Sequence, residues 1–558
     1  MSRTGFSAAA RESAWSALGE EAYDLLVIGG GITGVGVARD AAGRGLRVAL
    51  VEAGDIADGT SSRSSRLVHG GLRYLETFEF GLVFEALSER RRLLELAPHL
   101  VRPLPFIFPV YRGDPTGLLK LTAGMWLYEL LSLFRSPHRH RMFARRGVLE
   151  REPNLRADDL VGGALYHDAQ VDDARLTLAV ARGAHEAGAN VVTRARVVAM
   201  QPGVHRMGSV RLEDTLTGRE VEARARVVLN ATGPWSDRVR RLADPEVAAR
   251  LRTTKGAHIV VDRRRVGNRN AIIFRSSVDG RVMFVLPWRD FAYIGTTDTE
   301  YAGDPADAAA DAADIEYLLA SANAIFPAAR LGPDDVLSTW AGVRPLLAPD
   351  ASREVSESAT SREHSIWRDA SGLLNVAGGK LTTYRSMAAA TVDAAAAILT
   401  AEFDVRSGQC YTEFLPLPGA PDDQEAEMRV LEEDLRRIDL PTELAHPLWR
   451  RYGSEVRGLL ELISAEPDLR QPIVEGRPYL RGEVVWAVRE ELALTIEDVL
   501  RRRLQLFYDE EDGGLAAAPR VAEWMLEEDG IGWSDSEIAM QLEGYAGMVR
   551  DSRPTRVP

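Results

Sequence analysis

The chain has 558 residues, 45% of them hydrophobic and 27% charged, and 68 basic against 82 acidic side chains leave a net charge of −14. That length calls for two or three domains around sizeable cores. The acidic balance excludes a general nucleic-acid binder, which needs a basic footprint, but leaves room for a local basic pocket that takes an anion. The single cysteine, Cys410, cannot build a disulfide framework and fits a reducing compartment. No Cys/His cluster has metal-ligand spacing, so no metal is expected. Residues 1–20 lack a basic region followed by an apolar run, so no signal peptide is expected. The nearest approach to a membrane span, Leu118 to Phe134, is interrupted by Lys120 and Glu129.

In chain order, residues 1–22 read as a loose, Ala-rich lead-in. A strand from Tyr23 to Ile28, a glycine-rich turn, a helix to about Gly43 and a strand from Arg47 to Glu52 form a βαβ opening of a doubly wound sheet. Loops and helices alternate from about 53 to 185, where His167, Asp168 and Asp172 read as part of a solvated loop. Strands are expected at Asn190 to Val198, Ser209 to Leu212 and Arg226 to Leu229, then at Ile259 to Val261, Val282 to Leu286 and Ala292 to Ile294. An Ala-rich helix spans about Leu381 to Thr400. After residue 405 the character changes to amphipathic helices at Glu425 to Ile438, Glu455 to Ser464, Glu483 to Leu506 and Ala518 to Glu528, and Ser534 with Glu537 fits a capping box. The charge-rich run Arg489 to Arg503 suggests a helical packing cap or a dimer surface. The expected division is therefore a lead-in (1–22), a nucleotide-binding part with an interleaved substrate part (23–404, the latter mainly within 80–165 and 245–345), and a helical C-terminal part (405–558).

The first motif is Gly29-Gly30-Gly31-Ile-Thr-Gly34, a G-x-G-x-x-G directly after a strand. Gly29 permits the tight turn, Gly31 the approach of a pyrophosphate, and Gly34 close helix–sheet packing. The helix N-terminus adds free N–H groups and the positive end of its dipole. Glu52 closes the second strand about 20 residues on, where an acid accepts hydrogen bonds from a ribose. The motif does not separate NAD from FAD. The following stretch, Gly59 to Glu76, is rich in hydroxyls and glycine, which suits a pyrophosphate and a flavin edge.

With Thr60 to Glu76 in view, the chain resembles the FAD-dependent glycerol-3-phosphate dehydrogenases of the membrane-associated respiratory type. These belong to the flavoprotein superfamily of D-amino acid oxidase and glycine oxidase. The resemblance covers residues 22–400 and extends to the helical tail. It rests on blocks in family order: Val27 to Gly36, Thr60 to Glu76, Val171 to Arg175, Asn230 to Trp235, Lys255 to His258, Pro287-Trp288, Ile294 to Asp298, Gly342 to Leu346 and Gly378 to Arg385. It implies an α/β FAD-binding Rossmann-like domain with an inserted antiparallel-sheet substrate domain, plus an all-α C-terminal cap.

The resemblance also implies roles. Gly29, Gly31, Gly34 and Glu52 would hold the ADP half of FAD. Thr60, Ser61, Ser62 and the turn His69-Gly70-Gly71 would line the pyrophosphate and isoalloxazine. Ala231 to Gly233 would form a second contact, and Gly379, Lys380, Leu381 and Thr382 would pass the flavin pyrimidine. Arg66 departs from the family, where lysine is common. The implied reaction oxidises sn-glycerol 3-phosphate to dihydroxyacetone phosphate and passes electrons to a membrane quinone. The rivals are an oxidase that uses O2 and a related amino-acid or amine oxidase.

Such a reaction needs a phosphate clamp and a base. Arg73, Arg344 and Lys380 are the cations in the matching blocks, Tyr74 is a hydrogen-bond donor, and His258 is the candidate base. Arg344 is open to two roles, binding phosphate or activating the reacting hydroxyl. A quinone acceptor implies peripheral membrane contact at the inner face of the plasma membrane of a cytoplasmic protein. Leu118 to Phe134 and the basic stretch Arg135 to Arg146 are the candidate surface. A homodimer is a further expectation.

Overall fold

The computed structural model describes residues 5–203, 207–348 and 364–553. Its first sheet grows from the strand Ala22–Ile28, whose residues are apolar save Asp24 and, past Ala22, buried. A strand covered on both faces reads this way because helices lie above and below it. The strand order is His364–Arg368, Leu374–Gly378, Glu220–Asn230, Ala22–Ile28, Val48–Val51, Asn190–Val192. The pairings are parallel, except that His364–Arg368 runs antiparallel at one edge. The helices Ile32–Gly43, Asp173–Glu186 and Tyr384–Phe403 pack on it and share one apolar core through Val35, Val180 and Val392. Leu381–Phe403 is, among the described residues, the one helical stretch long and apolar enough by length and composition to cross a membrane. Here Tyr384, Ala388 and Leu399 are buried in that core.

The second sheet has ten strands. Leu251–Asp262 pairs with both Phe291–Gly295 and Ser338–Leu347, and the order continues through Val282–Trp288, Ala271–Arg275, Val101–Tyr111 and Leu160–Val171 to Leu67–Val68. It is antiparallel with one exception, the parallel pairing of Ala271–Arg275 with Val101–Tyr111. The expected inserted sheet is thus mixed at one joint.

The C-terminal segment is helical, as expected, with helices Gln424–Arg437, Val456–Ala465, Arg481–Glu490, Ala518–Leu526 and Asp535–Asp551. Ser534 and Glu537 form the capping box. The helix expected from Glu483 to Leu506 is broken after Glu490. Leu492 takes φ 54°, and the chain re-enters as a π-helical turn, Asp498–Arg503. Its arginines do not form a charged outer surface: Arg502 and Arg503 are buried among carboxylates. The C-terminal helices share a core with the second sheet, joining Leu500 and Phe507 to Trp288 and Trp340.

Two further expectations are corrected. The lead-in contains a helix, Arg11–Glu20, that buries Trp15 and Leu18 and ties Arg11 to Asp214. The stretch around His167 and Asp168 is no solvated loop but the strand Leu160–Val171 of the second sheet, on which Asp168 is buried.

Candidate active site

The glycine turn lies where the first sheet meets the second. Gly29 has φ 114°, which disfavours any side chain, and a Cβ on Gly34 would stand 1.9 Å from the Gly29 carbonyl oxygen. The helix Ile32–Gly43 can start this close to the strand only with glycine there. Gly31 is its N-cap, and Ile32 N–H donates to Ser61 Oγ at 2.9 Å. Glu52 accepts from Gly30 N–H (2.6 Å) and Gly54 N–H (2.8 Å), and burial pushes its carboxyl up to about 7 against those two bonds. Ala231 N–H donates to Ile28 O, which puts Ala231 and Gly233 at the floor of the same turn.

Thr60–Ser62 forms a short 3-10 turn anchored by Thr60 Oγ1 donating to Val343 O at 2.7 Å. Ser62 is buried and its Oγ has no hydrogen-bond partner among the described residues. Such an orphan in a cradle of glycines and a helix N-terminus fits the oxygens of a dinucleotide pyrophosphate. His69 N–H donates to Thr382 Oγ1 at 3.1 Å, which stitches the turn His69-Gly70-Gly71 to Gly379–Thr382. Leu381–Thr383 leads into the helix Tyr384–Phe403. The cofactor residues expected from sequence therefore fall into two bonded clusters, Gly29–Gly34 with Glu52 and Ser61, and His69 with Thr382, which mark the two ends of the groove expected for the cofactor.

Beside that groove lies a cavity of about 110 Å³ lined by Ser65, His69, Gly71, Arg73, Tyr74, Thr296 and Arg344, among others. Arg73 donates to Tyr74 OH at 3.2 Å, and its guanidinium lies 4.9 Å from the centre of the Tyr74 ring. Lys380 Nζ sits 3.8 Å from the centre of the same ring, which brings it to the cavity's edge. Arg344 is held firmly: it donates to Asp298 Oδ1 (2.9 Å), Thr296 Oγ1 (3.0 Å) and Thr297 O (3.2 Å). A Cβ on Gly256 would come within 2.1 Å of its guanidinium, so only glycine fits beneath it.

His258 is placed one side chain back. It is buried, its ring stacks on Trp340 with centroids 4.8 Å apart, and its Nε2 meets Ser65 Oγ at 2.9 Å. Burial, then Arg344 and Arg66, lowers its pKa to about 3, so the ring is neutral at pH 7. Ser65, not His258, faces the cavity.

Sequence reasoning missed several members. Asp168 accepts from Gly70 N–H at 3.2 Å and from Tyr128 OH at 2.8 Å, and pairs with Arg90. It fixes the turn under the cavity. Nothing marked the strand that carries it, because its two glycines and mixed polarity hide the alternation. Thr296, Asp298 and Ser65 lie inside the matching blocks, but their sequence context alone assigns them no role. Arg66, the family departure, is buried with its guanidinium between Trp288, Trp340 and Tyr508 at 4.7–5.0 Å. It braces the wall behind His258.

Residues 24–385 match the FAD dependent oxidoreductase family, and residues 410–538 match the C-terminal domain of alpha-glycerophosphate oxidase. Glycerol-3-phosphate dehydrogenase 2 of Mycobacterium tuberculosis is 42% identical over 542 residues, covering 97% of this chain and 90% of that one. Aerobic glycerol-3-phosphate dehydrogenase of Staphylococcus haemolyticus is 38% identical over 499 residues, 88% of each. The crystal structure of glycerol-3-phosphate dehydrogenase from Bacillus halodurans complexed with FAD superposes with a TM-score of 0.83 at 31% identity, covering 99% of both chains. The glycine cradle, the orphaned Ser62 hydroxyl and these similarities agree: FAD is the cofactor, and the chain belongs to the FAD-dependent oxidoreductases of the D-amino acid oxidase type, in the branch of the FAD-dependent glycerol-3-phosphate dehydrogenases.

Proposed function

We propose that the chain oxidises sn-glycerol 3-phosphate to dihydroxyacetone phosphate and passes the electrons to a membrane quinone. The observation that carries this reading is the meeting of Arg73, Tyr74 and Arg344 around one small cavity, with Lys380 at its edge. Cations on several sides of so small a space favour a phosphate dianion over the zwitterion of an amino acid. FAD, when bound along the adjoining groove, supplies the hydride acceptor.

The rest falls to the chain's own side chains. Arg73 has no carboxylate partner among the described residues, so its charge is available to the phosphate, with Lys380 as a second point charge. Arg344 is partly compensated by Asp298 and locked in direction, which suits it to the uncharged C2 hydroxyl, whose proton it makes easier to lose. Ser65 Oγ bridges the cavity to His258 Nε2 and relays that proton. His258 is unprotonated at pH 7 and able to receive it. The substrate's phosphate charge opposes the arginines that depress the imidazole, and so raises its proton affinity when substrate is present.

Membrane contact at the inner face of the plasma membrane belongs to the same proposal. On the helix Leu118–Leu131 and just beyond it, Leu119 (86% exposed), Trp126 (56%), Leu130 (55%) and Phe134 (53%) face outward. Phe78, Phe80 and Phe84 are exposed on and before the neighbouring helix Phe80–Leu96. Apolar side chains flanked by the arginines of Arg135 to Arg146 suit a lipid interface.

The decisive test is anaerobic. The flavin absorbance of the FAD-loaded protein is followed after sn-glycerol 3-phosphate is added without oxygen. We expect bleaching, with recovery on adding a soluble quinone and only slow recovery in air. Fast recovery in air replaces the quinone with O2 as acceptor. Failure of a fully loaded flavin to bleach removes the substrate assignment.

A further inference from the structure

A second basic cavity, of about 250 Å³, lies away from the cofactor groove at the seam between the second sheet and the C-terminal helices. Arg102 comes from the strand Val101–Tyr111, Arg289 from the turn after Val282–Trp288, and Arg450 and Arg451 from the helix Ala445–Tyr452. Two of these four guanidinium groups are matched: Arg289 pairs with Asp509, and Arg451 with Glu483 at 2.7 Å. Among the described residues, the guanidinium groups of Arg102 and Arg450 are not matched by any hydrogen bond or ion pair, and the Nε of Arg102 is buried with no partner. The one carboxylate on the wall, Asp172, already accepts from Arg175 N–H and from the Gln505 amide.

We propose that this seam is a second anion site, which takes a phosphate or phosphomonoester between Arg102 and Arg450. Arg102, with its Nε buried and unmatched, facing the more open and likewise unmatched Arg450 across one cavity is costly unless an anion joins them. Burial, then Arg450 and Arg289, lowers the pKa of Arg102 to about 9, and burial with Arg289 lowers that of Arg450. The strain is electrostatic, and a tetrahedral oxyanion relieves it. Guanidinium forks match phosphate oxygens in pairs, which favours a phosphoryl group over a monovalent halide. One fork is on the substrate sheet and the other on the C-terminal helices, so the bound anion ties the two together.

Equilibrium dialysis of inorganic phosphate against the FAD-loaded full chain, at fixed ionic strength, counts the sites. The phosphate that enters the catalytic cavity is identified by its loss in R73Q. We expect a saturable phosphate that R73Q keeps and R450Q loses, its affinity falling at least about tenfold, as for the loss of a charge-assisted contact. R102Q/R450Q should match R450Q, and turnover should stay within about twofold of the unsubstituted chain, since neither side chain lines the catalytic cavity. Arg450 is exposed, so R450Q alone keeps the test alive if the double variant misfolds. A phosphate complement that R450Q leaves unchanged overturns the proposal.

Discussion

Two arginine-rich regions of this molecule carry similar charge and do opposite things with it. Where the C-terminal π-helical turn meets the loop after Glu52, Arg502 and Arg503 both bond Asp55, at 2.7 and 2.6 Å. Arg502 also reaches Asp58 and Asp498, and Arg194 bonds Asp498 at 2.6 Å. Every guanidinium there is answered by a carboxylate, and Asp498 is held well below the usual range by Arg194, Arg502 and Arg503 despite its burial. Around the catalytic cavity, Arg73 bonds a phenol and has no carboxylate partner among the described residues. Neutralised arginines hold a fold together, whereas arginines short of acid attract a ligand. The difference lies in the partners, not in the cations.

The comparison can be broken from the neutralised side. Asp55→Asn leaves Arg502 and Arg503 buried without their shared counter-charge, and should cost about 3–5 kcal/mol of stability, read from denaturant unfolding. Because Asp55 lies on the loop between Glu52 and Thr60, FAD should dissociate faster as well. Unchanged stability would remove the argument that the network is a structural clamp.

Substitutions on the ligand side should act on turnover instead. Arg344→Ala should lower kcat/KM by about 30- to 900-fold, equivalent to about 2–4 kcal/mol, with stability little changed, as steady-state kinetics beside a melting curve will read. Arg73→Gln should cost about 1.5–3 kcal/mol, mostly as a raised KM, because a phosphate contact is made in ground and transition states alike. If Arg73→Gln lowers kcat and leaves KM alone, the phosphate role is lost.

The smallest effect is a pH dependence. The folded chain keeps His258 neutral down to about pH 3, while an unfolded histidine takes up a proton near 6.5. The stability this contributes is present above pH 6.5 and is lost as pH falls toward 3. Urea unfolding at pH 7 and pH 5 should therefore show a smaller loss in His258→Asn than in the unsubstituted chain, by up to about 1.4 kcal/mol per pH unit. Parallel pH slopes would contradict the burial of that ring.

The contrast between the regions also separates what the chain reveals in one dimension from what it conceals. The dinucleotide end of the cofactor groove is legible because its physics is local, with Gly29, Gly31 and Gly34 inside one turn, whereas the end where His69 meets Thr382 is reached only through the family resemblance. The residues around the catalytic cavity were reachable through blocks such as Gly342 to Leu346. Their division of labour was not, since it depends on whether Asp298 lies beside Arg344, a fact of tertiary packing. The run Arg501-Arg502-Arg503 reads only as part of a helical packing cap or a dimer surface, because Glu497 and Asp498, its partners nearby in sequence, answer only part of its charge. Its partner Asp55 lies 448 residues from Arg503. Asp168 was concealed likewise, its partner Arg90 coming from another element.

That sequence distance has a consequence for biogenesis. The turn at His69 is bonded to Thr382, 313 residues later, and the loop at Asp55 to Arg503 later still. At about 5–20 residues per second, a ribosome needs some tens of seconds between the two halves of each contact. Through that interval the glycine-rich half-site emerges without its closing wall. FAD retention should therefore be a late event in synthesis, and a nascent chain halted before about residue 500 is open to chaperone capture and proteolysis in place of cofactor loading.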